Sequence, residues 1–576
     1  MNLKHYLSQQ VEQALTAAGA EDAPAIMRQS GKPQFGHYQA NGVMGAAKQL
    51  STNPRNLALR TADELNKRFA ENVSAEVAGP GFINVTLSND FITSCLTKMA
   101  KDDRLGVAKQ LQQNVVVDYS SPNLAKEMHI GHLRSTAIGD ANVKVMEFLG
   151  HNVIRANHVG DWGAQFGSLL AFMDKLEREG KPLVTELKDL EVFYRRASEM
   201  FKTDPEFATK ARDFVVKLQS GDIKCLDLWQ QFISESINHC QDIYDLLEIS
   251  LTAGDIKPES AYNEDLGIIV SLLDSRGLIE ISDGAKCVFL PEYTGKDDEP
   301  LPAIIQKSDG GFPYIATDLA AVRFRSQELG VDRAIYFVDG RQSLHFSQLF
   351  SISRAAGFIA ESQQFRHVPF GAILNKHGKP YKTREGGAVK LAEVVKEAIS
   401  RARNLIGDKN AALEEAEKDK IARIVGVGAI KYAELSKNRT TDYIFDWDTM
   451  LSFEGNTAPY LQYAYTRIMS IFRRADTNHN LDEAKFNLTE AAELALALKL
   501  LQYPEAVEGV TEEYQANILC NYLFELAGLF MSFYEDCPVL KADKPTRASR
   551  LKLCKISGRT LQHGLSLLGI STVEQM

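Results

Sequence analysis

Apolar and polar positions along this chain repeat with two different periods, and the places where the period changes divide it. In MNLKHYLSQQVEQALTAAG, Leu3, Leu7, Val11, Leu15 and Ala18 recur at threes and fours, which predicts an amphipathic helix. A second helical run covers residues 41–50, and GPGFINVTLS, opened by Gly79, Pro80 and Gly81, alternates as a half-buried strand does. At Asn114 the pattern becomes NVVVDYS, a β-branched run of the kind that forms a buried parallel strand. A turn at Ser121, Pro122 and Asn123, an amphipathic segment closed by Gly150 and the next strand NVIRANHVG complete a βαβ unit. Residues 175–250 are charged with helical periodicity and read as a helical insertion. The α/β pattern returns with KCVFL at 286–290, a helix over 318–329 and the strand AIYFVDG at 334–340. Beyond about residue 400 the chain is nearly all helical, and 456–576 carries apolar residues at threes and fours, as in a bundle.

The expected organisation is therefore multidomain α/β. A small N-terminal α/β domain spans 1–110, a doubly wound parallel-sheet domain with its helical insertion spans 111–450, and an all-α helix bundle spans 451–576. A length of 576 residues agrees, since single cores stop growing well short of it. Apolar residues at 44% and charged residues at 24% exclude a disordered or collagen-like chain. The net charge of −10 confines any nucleic-acid site to a local basic patch. Seven scattered cysteines without a C-x-x-C pair suit free thiols in a reducing cytoplasm and give no zinc motif. No run approaches the ~20 apolar residues of a membrane span.

The chemistry concentrates in SPNLAKEMHIGHLRS, residues 121–135, where a parallel strand gives way to a helix. Ligands of doubly wound sheets bind at strand carboxyl ends, and a helix N-terminus attracts phosphate. Helical continuation from Asn123 would set His129 and His132 on one face, able to donate to phosphate oxygens, with Gly131 admitting a flat base close to the backbone. On spacing alone two such histidines are more often a surface pair or half a metal site. Lys126, three residues before His129, could reach the same phosphates or simply lie along the surface. Downstream, GKPYKTREGG at 378–387 gathers cations between glycines, as a loop closing over a triphosphate requires, or as a solvated basic loop does.

His-Ile-Gly-His after such a strand resembles the signature of class I aminoacyl-tRNA synthetases, whose Rossmann-type domains carry a second, lysine-rich Lys-Met-Ser-Lys-Ser loop. Lys379 and Lys382 can take the places of its lysines, with Thr383 at the final serine; matching Tyr381 to the methionine moves Arg384 there instead. VDYSSPNLAKEMHIGHLRST, NHVGDWGAQFG at 157–167, LSKNRTTDYIFDWD at 435–448, FEGNTAPYLQYAYTR at 453–467 and the leading FGHYQANG and GPGFIN are similar to the bacterial arginyl-tRNA synthetase family over nearly the whole chain.

The resemblance implies a ligase that activates L-arginine with ATP and Mg²⁺, without a tightly bound prosthetic group, and transfers it to tRNA(Arg) as a cytoplasmic monomer. His129, Ile130, Gly131, His132, Lys379, Lys382 and Thr383 would hold ATP, with His129, His132, Lys126, Lys382 and Arg384 catalytic. Asp118, Ser121, Asn123 and His132 would line one side of the arginine pocket; Tyr314, Asp318 and Gln342 would line the other. A planar, permanently charged guanidinium is what paired carboxylates select. The leading domain is expected to touch the tRNA core, and activation is expected to need tRNA. From Lys541 to His563, Lys541, Lys544, Arg547, Arg550, Lys552, Lys555 and Arg559 stand against Asp543 alone, an RNA footprint or a solvated helix face. Tyr460, Tyr463, Tyr534, Arg467 and Arg547 are the expected tRNA contacts. The rivals are another adenylate-forming nucleotidyl transferase and a catalytically inactive tRNA-binding homologue.

Overall fold

The computed structural model describes residues 1–576 except 33–34, 184–186, 188, 296–297, 382–388, 410–413, 476–480 and 482. It divides into two compact units, Met1–Gln110 with Ser452–Met576, and Leu111–Leu451.

In the first unit, the helix Leu3–Ala17 buries Leu3, Leu7, Val11 and Leu15 at the predicted spacing, and the Asn2 side chain caps it by accepting from the His5 amide. Strands β1 (Met27–Gln29), β2 (Tyr38–Ala40), β3 (Val73–Ala78) and β4 (Phe82–Leu87) form a sheet of order β1-β2-β4-β3 with every pair antiparallel. The leading domain is thus α+β rather than the expected α/β. Gly79, Pro80 and Gly81 turn the chain directly from β3 into β4, and a short turn can join only antiparallel neighbours.

The same unit holds the bundle helices Ala458–Arg474, Ala491–Leu501, Tyr503–Glu513, Asn517–Asp536 and Lys544–Leu567. Two of these lie close: a Cβ on Gly564 would stand 2.5 Å from the Leu523 side chain. The leading domain is fastened to the bundle by specific polar contacts. The Tyr38 hydroxyl and the Gln29 amide donate to Glu505, Asn2 donates to Glu508 at 2.6 Å, and Arg559 donates to the carbonyls of Ala100 and Asp102.

The second unit is built on a parallel sheet of order β11-β10-β5-β6, with β5 (Asn114–Asp118), β6 (Asn152–Ala156), β10 (Arg333–Tyr336) and β11 (Gln364–His367). β5 is flanked by β6 on one side and β10 on the other, so the strand order reverses at β5. The crevice beyond the carboxyl ends of β5 and β10 is the expected ligand position. KCVFL does not join this sheet. It contributes β8 (Ala285–Val288) to an antiparallel sheet with β7 (Glu280–Ser282) and β9 (Ala303–Gln306). Asp283 and Gly284, both at positive φ, make the two-residue turn that folds β8 back on β7.

The insertion is helical as expected, with Leu190–Thr203, Pro205–Gln219 and Ile223–Leu246 among its helices. The helix expected over 318–329 starts earlier, as Tyr314–Arg323, and continues as a π-helical turn, Phe324–Glu328. That wider turn directs Arg325 inward.

Candidate active site

β5 ends at Asp118, and Ser120 and Ser121 follow with φ of 67° and 43°, a left-handed pair without a glycine. Such backbone persists only where surroundings hold it. Here Ser120 N donates to Ser135 Oγ at 2.9 Å, Ser121 Oγ donates to Asp118, and His158 N donates to Ser121 Oγ. Asn123 bridges to Gly160, so the loop after β5 is stitched to the loop after β6.

The helix begins at His132 rather than near Asn123. The reason is a competing ladder: Ile130 N donates to the Val389 carbonyl at 2.9 Å and Leu391 N to the Met128 carbonyl at 3.0 Å, with His129 opposite Lys390. Backbone groups spent on a strand-like pairing cannot serve a helix. His129 therefore precedes the helix instead of sharing its face with His132, yet their ring centroids lie 4.0 Å apart. His132 Nδ1 accepts from the His129 amide at 3.0 Å and His129 Nδ1 from the Gly131 amide at 3.1 Å. A ring nitrogen that accepts carries no hydrogen, so neutral His129 holds its hydrogen on Nε2; His132 Nδ1 also lies 3.3 Å from the His129 carbonyl oxygen, to which it donates in the other tautomer. Burial pushes the His132 imidazole down to about 3; burial, then the Lys126 charge, lowers that of His129. Gly131 is required by His129, whose ring would lie 2.8 Å from a Cβ there.

Both histidines open on a cavity of about 910 Å³ at the β5–β10 crevice, which Ser121, Asn123, Ile130, Gly131, Gln342 and Tyr381 also line. That volume suits a nucleotide with a small co-substrate. Lys126 is turned elsewhere: it is exposed, with its ammonium 4.6 Å from the centre of the Tyr194 ring in the insertion. Lys379 is exposed and does not line the cavity. Lys382, Thr383 and Arg384 lie outside the described residues.

The two carboxylates expected for arginine have different surroundings. Asp118 is buried, with one oxygen accepting from Arg325 at 2.6 Å and the other from Ser121. Asp318 is half-buried on the Tyr314 helix. One of its oxygens lies 2.6 Å from His345 Nε2 and the other 3.5 Å from His158 Nε2. Burial would raise its pKa, but the two imidazoles outweigh burial and hold the carboxyl well below the usual range. Tyr314, four residues earlier on that helix, is exposed. Glu259, whose carboxyl burial pushes up to about 7, faces the same charges.

Arg325, Glu259, His158 and His345 were not singled out by sequence reasoning. His158 sits inside NHVGDWGAQFG, and His345 three residues after the expected Gln342; nothing local marks Glu259, and Arg325 depends on the π-helical turn.

In the other unit, Arg467 stacks over Tyr463 and Tyr534 at 5.3 and 5.9 Å, and Tyr460 meets Phe524 edge-on. The basic stretch is partly turned inward. Arg550 pairs with the buried Glu493 at 2.7 Å, Lys552 donates to the Ala484 carbonyl, and Arg559 holds the leading domain. Lys541 and Lys544 are exposed and Arg547 is half-buried.

Residues 93–447 match the family model for class I (R) tRNA synthetase catalytic domains, 461–576 that for the DALR anticodon-binding domain, and 1–87 that for the arginyl-tRNA synthetase N-terminal domain. The chain is 54% identical to an arginine–tRNA ligase of Hahella chejuensis and 51% identical to one of a Marinomonas species, each match covering both chains in full. Among solved structures it is similar to the arginyl-tRNA synthetase of Plasmodium falciparum, at 29% identity and a TM-score of 0.85, covering 100% of this chain and 99% of that one. It is also similar to that of Thermus thermophilus, at 26% and 0.83, covering both in full.

Proposed function

Because the chain belongs to the arginyl-tRNA synthetase family, we propose that the crevice cavity is where it joins ATP to L-arginine, with His129 and His132 on the triphosphate. The enzyme is an arginine–tRNA ligase with tRNA, arginine and ATP as substrates. The arginine carboxylate attacks the α-phosphate in line, the bond to pyrophosphate breaks, and a terminal ribose hydroxyl of tRNA then takes the arginyl group from the adenylate. Two imidazoles 4.0 Å apart on the cavity wall, each tied through Nδ1 to the backbone, carry this reading. They stabilise negative charge developing on phosphate without reorganising.

ATP enters with Mg²⁺ as its counterion. Ile130 and Gly131 lie under the nucleotide, Lys379, Lys382, Thr383 and Arg384 supply further phosphate contacts, and Lys126 contributes long-range positive charge. Asp318 with Tyr314 and Gln342 takes the guanidinium side of arginine; Ser121 and Asn123 take its other end. Asp118 acts through Ser121, which it positions from beneath. In the other unit, Tyr460, Tyr463, Arg467, Tyr534 and Arg547 offer unpaired anticodon bases stacking and charge. Residues 1–110 meet the tRNA core, and 451–576 read the anticodon. The enzyme works as a cytoplasmic monomer; all seven cysteines are buried free thiols, and among the described residues no helix is long and apolar enough to cross a membrane.

The test is pyrophosphate exchange with each amino acid, with and without tRNA. Exchange with arginine alone among them supports the reading; exchange with another amino acid, or none under any condition, overturns it.

A further inference from the structure

His158 is held so that its charge state follows from geometry. Its Nδ1 lies 3.1 Å from the Lys257 carbonyl oxygen, which can only accept, so Nδ1 carries a hydrogen. In a neutral ring Nε2 would then be bare, presenting a lone pair to the Asp318 carboxylate 3.5 Å away. That arrangement is repulsive, and protonation of Nε2 turns it into attraction. Nε2 is also buried and without a hydrogen-bond partner, so no other group relieves it.

The groups facing His158 from the surrounding elements are mostly anionic. They are Asp118 on β5, Asp318 on the Tyr314 helix, Asp161 on the loop after β6 and Glu259 at the start of the 3-10 helix Glu259–Asp265; Arg325 from the π-helical turn is the opposing cation. His345 donates to the other Asp318 oxygen and leaves His158 the one at Oδ1. Burial works against the charged ring, yet the Asp318 and Asp118 carboxylates raise its pKa above the usual histidine value.

We propose that His158 is a positioning residue that carries the positive charge opposite Asp318 in the empty pocket, and that the incoming arginine guanidinium replaces this charge and expels the His158 proton. The inference rests on the reading that Asp318 receives the guanidinium. Two cations confined against one carboxylate repel each other, and of the two only the imidazole can discharge, since a guanidinium keeps its proton. His158 thus makes arginine binding proton-linked. Below its titration midpoint the apparent affinity for arginine weakens by about tenfold per pH unit, and above it the affinity is level.

The experiment is titration calorimetry of the full-length protein with arginine at pH 6 to 8, in pairs of buffers with different ionisation heats, alongside arginine and ATP KM against pH. Wild type should release up to one proton per arginine, and its arginine KM should fall as pH rises while ATP KM stays level. His158→Gln should abolish the release and flatten the arginine profile; His345→Gln should keep both. No proton release in wild type overturns the inference, as does release that survives His158→Gln but disappears in Glu259→Gln. Asp318→Asn separates the two layers: unchanged arginine affinity in that variant removes the underlying reading of the pocket. Weakened affinity in Asp318→Asn with His158-independent proton release removes only the inference.

Discussion

His129 and His132 are each tied through Nδ1 to a backbone amide, at 3.1 and 3.0 Å, and both residues line the cavity. Replacing either by Ala should lower arginine activation by about 10²-fold, the usual loss for one preorganised donor. Thermal unfolding should be nearly unchanged. Burial pushes His132 down to about 3, so the ring stays neutral at any working pH. Any fall in activity between pH 8 and 6 should therefore appear in the arginine KM and not in the binding of ATP.

Asp318→Asn keeps the shape of the side chain but removes the charge on which the proposed arginine site depends. It should raise arginine KM by more than tenfold with little change in ATP KM, read by steady-state exchange kinetics. Gln342→Ala, which removes a neutral contact, should be milder.

Arg325→Met leaves Asp118 as a buried carboxylate without its guanidinium. Loss of one partner of such a pair costs about 3–5 kcal/mol. Denaturant unfolding should show a loss of that size in the Leu111–Leu451 unit. An unfolding midpoint equal to that of wild type would mean that Asp118 is not dependent on Arg325.

The basic stretch should separate by direction. Arg550→Met strands the buried Glu493 and should destabilise the bundle by about 3–5 kcal/mol. Lys541→Ala with Lys544→Ala should leave stability alone, weaken tRNA binding, and reduce the salt dependence of that binding.

Pyrophosphate exchange should be nearly absent without tRNA and restored by cognate tRNA, with Tyr463→Ala blunting the restoration more than it weakens ATP binding. Robust exchange by protein, arginine, ATP and magnesium alone would make the bundle an affinity module without coupling to catalysis.

The sequence announced those features that local chemistry determines. The spacing of Leu3, Leu7, Val11 and Leu15 placed the first helix, the β-branched run NVVVDYS placed β5, the apolar run AIYFVDG placed β10, and the histidine motif lies on the cavity it pointed to. It misled where a tertiary partner decides. His129 falls outside the helix because residues near 390 offer its neighbours a ladder, and no local pattern records that offer. KCVFL reads as a parallel-sheet strand until Asp283 and Gly284 are recognised as a hairpin turn. Arg550, Lys552 and Arg559 look like surface charge because a count of cations does not say which face of the helix they occupy.

The chain leaves the first unit at Gln110 and returns to it at Ser452, and this has a consequence for synthesis. When Tyr38 leaves the ribosome, its partner Glu505 has not been made. At about 5–20 residues per second, the roughly 470 residues from Tyr38 to Glu505 take on the order of 20–95 s. For that interval the leading sheet stands without the bundle helices that complete its packing. A chain interrupted between Ser452 and Glu505 therefore has every strand of the parallel sheet but an unfinished leading domain.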